Sequence, residues 1–250
     1  MTSESRTTGA PEGVIQYTVS HRDRALAPAR FGDLGAELAA WRSIFAGLAI
    51  VGQRADRYDG AGYGNVSGRV GPFPGARGAR AFVVSGSQTG GRACVTLNDF
   101  ALVRRYEPTL NRVESEGLIK PSSESMTHGA IYDLGPHIRF VFHVHCPLIW
   151  RAAGRMGLPV SDARVPYGTP GMAREIVRLS RETALLERGI LAMGGHEDGV
   201  ITFGRTPSEA GGILMESLAA AHRSAFDETG KACAQDAVSR RVRPSEGRRG

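Results

Sequence analysis

The chain has 250 residues, 41% of them apolar, enough for one large domain or two small ones with a sizeable core. No apolar run approaches the roughly eighteen residues of a membrane span, the first residues lack the basic-then-apolar pattern of a secretory signal, and three cysteines, Cys94, Cys146 and Cys233, suit a reducing cytoplasm better than a disulfide framework. Most of the net charge of +6 lies in residues 231–250, where Lys231, Arg240, Arg241, Arg243, Arg248 and Arg249 face only Asp236 and Glu246; without interleaved aromatics or a recognition motif, this stretch reads as a solvated tail and not as a nucleic-acid site.

Residues 1–30 mix polar groups with Pro and Gly, and read as a weakly structured extension with a short ordered piece near Val14–Val19. Leu34, Leu38, Trp41, Ile44, Phe45, Leu48 and Val51 then recur at helical spacing behind Asp33, a candidate cap. Short strands are expected within residues 65–70 and over Ala81–Ser85, next to the glycine-rich segments Gly60–Gly78 and Gly86–Gly91. No strand is marked clearly before the next helix, which begins near Pro121-Ser-Ser-Glu-Ser125 with Met126, Ala130, Ile131 and Leu134 as its buried stripe. The apolar run Phe140–Cys146 reads as a strand. A helix from Thr169-Pro170 to Gly189 is expected next, with Thr as cap and Gly as stop. Strands at Ile190–Met193 and Val200–Phe203 bracket Gly194–Gly199, and Thr206-Pro-Ser-Glu209 opens a last helix as a capping box. Helices alternate with short strands, which predicts an α/β sandwich around one sheet. The expected division is an extension over 1–30, one domain over 31–228, and a basic, disordered tail over 229–250.

The chemistry concentrates in a few residues. His143 and His145 alternate along the Phe140–Cys146 strand and so share a face. His196 sits between glycines on a tight connection, where Gly194 and Gly195 permit close approach. Three imidazoles can hold a catalytic divalent cation and leave a position open, with Zn2+ preferred and Mn2+, Co2+ or Fe2+ as alternatives. Glu124 is the candidate acid or base, although a helix start also suits a carboxylate through the helix dipole. His128, one turn on, reads as a structural histidine. Gly64-Asn65, Thr89-Gly90 and Ser122-Ser123 offer turn and helix-start N–H groups to an anion. Tyr167, between turn residues, can donate a proton to a developing alkoxide. Glu197 and Asp198 supply a carboxylate behind the metal and a turn residue, or only exposed charge. Cys146 points away from His145 and reads as a small core residue.

In that order, Gly64-Asn-Val-Ser67, Thr89-Gly90, Pro121-Ser-Ser-Glu124, His128, Ile131-Tyr132, His143-Val-His145 and Gly195-His196 resemble the class II aldolase/adducin family over residues 34–225. The resemblance implies a single three-layer α/β/α domain around a central, largely antiparallel sheet, usually assembled as a homotetramer. It further implies that His143, His145 and His196 are metal ligands, that Glu124 moves a proton beside a metal-bound carbonyl, and that Asn65, Thr89, Gly90, Ser122 and Ser123 form the substrate phosphate pocket. Tyr167 stands where aldolases of the family place a tyrosine acid from a neighbouring subunit. Two departures stand out. The turn Ser85–Gly90 is longer than the family's, and Gly195-His-Glu-Asp-Gly199 is more acidic than its Asn-His-Gly. The implied activity is a metal-dependent carbon–carbon lyase acting through a metal-stabilised enediolate on a small sugar-like substrate, phosphorylated or not. A dehydratase of a related hydroxy-ketone is the nearest alternative. A non-catalytic assembly module, which would not need the ligand set, is the other.

Overall fold

The computed structural model describes residues 13–242. Eight strands form one sheet: β1 (Thr18–Asp23), β4 (Asn65–Arg69), β5 (Phe82–Ser85), β6 (Phe100–Glu107), β7 (Arg112–Gly117), β8 (Phe140–His145), β9 (Ile190–Ala192) and β10 (Gly199–Gly204). Their order across the sheet is β1-β7-β6-β5-β4-β8-β10-β9. Every pairing is antiparallel except that of β1 with β7. A separate ribbon joins β2 (Gly52–Gln53) to β3 (Gly62–Tyr63).

Alternation along the strands sorts side chains into two cores. Val66, Val83, Phe142, Val144 and Val200 face one layer, formed by α1 (Pro28–Gly47), α3 (Pro147–Ala152) and α6 (Pro207–Val242). Val84, Val103, Val141, Leu191 and Ile201 face the other, formed by α2 (Ser125–Tyr132), α4 (Pro170–Glu182) and α5 (Leu185–Arg188). The domain is therefore the three-layer α/β/α arrangement expected. Since Val141 faces α2 and α4, so do His143 and His145, two and four residues on. Cys146 lies in the opposite core, as the strand period requires.

Several elements differ from their sequence reading. Helix α1 begins at Pro28, ahead of the expected Leu34, its cap position is Ala27 rather than Asp33, and it ends at Gly47 before Val51. Its buried face is Phe31, Gly35, Leu38, Arg42 and Phe45, while Ile44 is 49% and Leu48 45% exposed. The apolar count missed this face because its centre includes a guanidinium. The hairpin β6–β7 escaped notice because Phe100-Ala-Leu-Val103 is buried on both faces and shows no alternation, and a register shift between Val103 and Arg105 breaks the period after it.

The single helix expected from Thr169 to Gly189 is two. Thr169 caps α4 by accepting from the Met172 N–H. Thr183 turns to extended backbone and donates its hydroxyl to the Leu179 carbonyl at 2.6 Å, which competes with continuation of the helix. Helix α5 follows and stops at Gly189, whose φ of 62° needs glycine. At the ends, β1 extends the sheet within the stretch read as weakly structured, and α6 runs on to Val242, past the expected start of the tail. Residues 1–12 and 243–250, where the rest of both expected extensions falls, lie outside the described residues. Among the described residues, no helix is long and apolar enough to cross a membrane.

Candidate metal centre and active site

The central strand β8 carries the first two candidate ligands. His143 lies opposite Asn65 of β4 and Ile201 of β10, and His145 opposite Gly199, where β10 begins. Their Nε2 atoms stand 3.2 Å apart. The β9–β10 connection brings His196 to the same point, with its Nε2 at 2.9 Å from that of His145. Gly194 and Gly195 allow this: a Cβ on either would strike the Ser161 or Val165 carbonyl oxygen, so only glycine lets the turn tuck beneath that loop. All three rings are buried.

Burial pushes His143 and His145 well below the ordinary histidine pKa, and the neighbouring His196 adds to the shift. Both are thus neutral, with a lone pair to give. Tetrahedral nitrogen ligands about 2.0–2.1 Å from one cation stand about 3.3 Å from each other. Two of the three separations, 3.2 and 2.9 Å, are near that value, and all three ligand atoms lie within 4.8 Å of one another. The donor set therefore fits a divalent metal.

Glu124 occupies the N-cap position of α2 but makes no side-chain cap bond. Its side chain is turned inward, 1% exposed, with Oε1 at 3.5 Å from His196 Nδ1. The carboxylate is thus set against the histidine cluster while its backbone sits at the helix start. Tyr167 also reaches His196 within one chain, ring against ring at a centroid separation of 4.5 Å. Its hydroxyl accepts from the Val14 N–H at 3.2 Å and lies 3.3 Å from the Val14 carbonyl, while Gln16 donates to its backbone carbonyl. His128 is fully buried, shares a 2.6 Å hydrogen bond with Ser67, and is held down to a pKa of about 3 by burial. It lies in the core on the sheet face that carries the other histidines.

The five residues read as an anion pocket, Asn65, Thr89, Gly90, Ser122 and Ser123, line one small cavity together with Gly13, Gly64 and Gln88. An isolated bridge between Gly86 and Pro121 sets the two turns side by side. The Oδ1 of Asn65 is buried without a hydrogen-bond partner within the protein. Thr89 spends its hydroxyl inside the turn, on the Gly86 carbonyl at 2.9 Å. Ser122 Oγ accepts the Glu124 N–H at 3.3 Å, so pocket and carboxylate are joined by one turn. A larger cavity, about 560 Å³, opens elsewhere between α2 and α4, and none of these residues line it.

Sequence reasoning missed three groups here. Arg42, buried in α1, donates to the Thr89 and Gly90 carbonyls at 2.7 and 3.0 Å and so fixes the pocket turn from behind. Its only signal was a charge at a core position of the helical period. Arg57 and Tyr58 lie against His145 and left no sequence signal. Of Glu197 and Asp198, read as a carboxylate behind the metal and a turn residue or as only exposed charge, Asp198 is buried and accepts from Tyr58, while Glu197 is exposed.

Comparison with known proteins gives one matching family and a shared fold. The Class II Aldolase and Adducin N-terminal domain matches residues 53–223. The fold is similar to that of L-fuculose-1-phosphate aldolase from Thermus thermophilus, at a TM-score of 0.56 and 16% identity over 80% of this chain and 97% of that one. It is similar to another L-fuculose 1-phosphate aldolase, at 0.58 and 17% over 79% and 87%. A sugar-phosphate aldolase from Thermotoga maritima gives 0.56 and 16% over 77% and 93%. No curated protein matches the chain in sequence at a significant level.

Proposed function

The chain belongs to the class II aldolase and adducin family, and from that premise we propose that it is a metal-dependent lyase cleaving a carbon–carbon bond in a small hydroxy-carbonyl compound. The observation that carries this reading is the convergence of three buried imidazoles beside one buried carboxylate. His143, His145 and His196 would hold the divalent cation, Zn2+ by preference, which when bound supplies Lewis-acid polarisation of a carbonyl.

The remaining steps belong to the chain's own side chains. Asn65, Ser122 and Ser123, with the Thr89–Gly90 turn, orient the polar or anionic end of the substrate next to the metal centre. The substrate bond that breaks joins the carbon beside the carbonyl to a hydroxyl-bearing carbon. That hydroxyl passes its proton to Glu124 as its carbon becomes an aldehyde, and Glu124 returns the proton to the carbon left behind. Tyr167 braces His196; its hydroxyl can take part in proton transfer once its bonds to Val14 open. A homo-oligomer, tetrameric as the family resemblance implies, working in a reducing cytoplasm, completes the reading.

Product analysis tests it. Zn2+-loaded protein is offered a panel of phosphorylated and unphosphorylated hydroxy-ketones. Two carbonyl fragments from one substrate support the lyase. A single dehydrated product would make the protein a dehydratase on the same residues. A metal-loaded protein inert toward the whole panel would favour the assembly module.

A further inference from the structure

Around His145 the backbone departs from its usual conformations at several non-glycine positions. Among the described residues, six non-glycine positions have positive φ: Ala49, Tyr58, Asp59, Gln88, Asn111 and Asp198. Ala49, Tyr58 and Asp198 meet in one cluster, and Asp59 adjoins it. Such conformations are costly for residues with a side chain and persist only where the surroundings over-determine them. Here the surroundings are a chain of polar contacts. The Tyr58 hydroxyl donates to Asp198 Oδ2 at 2.7 Å. Arg57 Nη2 donates to the Tyr58 oxygen at 2.5 Å and stands 3.6 Å from Asp198. Arg57 also donates to the Ala49 carbonyl at 2.9 Å, and its guanidinium lies over the rings of Tyr58 and Tyr63. The Tyr58 ring stands edge-on to the His145 imidazole, with centroids 4.5 Å apart.

We propose that Arg57, Tyr58 and Asp198 form a clamp that fixes the plane of the His145 ring against the turn carrying His196, and so sets the metal-binding geometry before a cation arrives. The inference rests on the metal-centre reading above. Asp198 is two residues beyond His196 in the same turn, and its carbonyl accepts the Cys146 N–H at 2.8 Å. The clamp therefore ties the two ligand-bearing segments at both backbone and side chain. Tyr58 and Asp198 touch no substrate in this scheme; they are positioning residues. Groups that orient metal-bound imidazoles commonly govern affinity about 10–100-fold.

The test uses Tyr58→Phe, which keeps the ring and removes only the hydroxyl, and Asp198→Asn, which keeps the shape and removes the charge. Zn2+ affinity is measured by competition with a chromophoric chelator, the visible spectrum is recorded on Co2+-loaded protein, and the metal-free proteins are melted. We expect a roughly 10-fold or greater loss of Zn2+ affinity in each variant, a shifted Co2+ spectrum, and metal-free melting close to that of the unaltered protein. Unaltered protein that takes up no stoichiometric metal overturns the metal-centre reading and the clamp with it. Variants that match the unaltered protein in affinity and spectrum overturn the clamp alone. So do variants whose affinity falls only in step with a collapse of the metal-free melt.

Discussion

Glu124 and His196 face each other across 3.5 Å inside the protein, and the carboxylate's contribution can be isolated by an isosteric change. Glu124→Gln keeps the shape and removes the proton carrier. It should retain metal while turnover falls by about two to four decades, the usual worth of a positioned acid or base; steady-state kinetics beside metal analysis decides, and unchanged turnover removes Glu124 from the mechanism. His128 offers a prediction from its pKa of about 3. Its neutral form is bound in the fold, so the unfolded chain takes up the proton first as pH falls below about 6.5. Stability from this residue is full above that pH and is lost toward pH 3, by about 2 kcal/mol between pH 7 and 5. Urea unfolding at both values should show a difference smaller by that amount in His128→Gln; equal differences would mean that His128 is not held neutral. At this scale the sequence was informative where a residue's neighbours in the chain are also its neighbours in space. His143 and His145 were readable because a strand repeats every two residues. Tyr58 was not, because its partner Asp198 is 140 residues away.

At the scale of elements, helix α1 shows what hydrophobic spacing misses. Its start was displaced because Pro28 at the first position sets the helix without a side-chain cap, and its face was rotated because the buried position 42 is an arginine, which an apolar count does not register. That guanidinium gives the Thr89 and Gly90 carbonyls donors that no strand supplies. Arg42→Met should therefore cost about 2–3 kcal/mol, the worth of charged hydrogen bonds to buried acceptors, and should loosen the anion turn. Denaturant titration checks the first effect and hydrogen exchange at Gly90 and Gly91 the second; a loss below about 0.5 kcal/mol with unchanged exchange would contradict it. The strands β5, β8, β9 and β10 were legible within a residue or two, since each is short and largely apolar between glycines or turns, and β4 was placed by the glycine-rich turn before it. The β6–β7 hairpin was hidden by burial on both faces and a bulge, and α4 was broken by a threonine hydroxyl that a propensity count does not weigh.

For the whole molecule, one consequence of sheet order matters most. β8 lies between β4 and β10, so the histidines of the middle strand meet Asn65 from one neighbour and the His196 turn from the other, while α2 delivers Glu124 from the layer they face. The layered architecture was legible from the alternation of helices and strands. The convergence was not, because Glu124, His145 and His196 lie far apart in sequence and only the family resemblance linked them. The proposed chemistry therefore requires that the three imidazoles share a cation. X-ray absorption at the zinc edge, on protein loaded with one equivalent of Zn2+, measures this directly. Three imidazole nitrogens are expected at about 2.0–2.1 Å, reduced to two in His196→Ala. Zinc that washes off the unaltered protein, or a shell without imidazole, would contradict it.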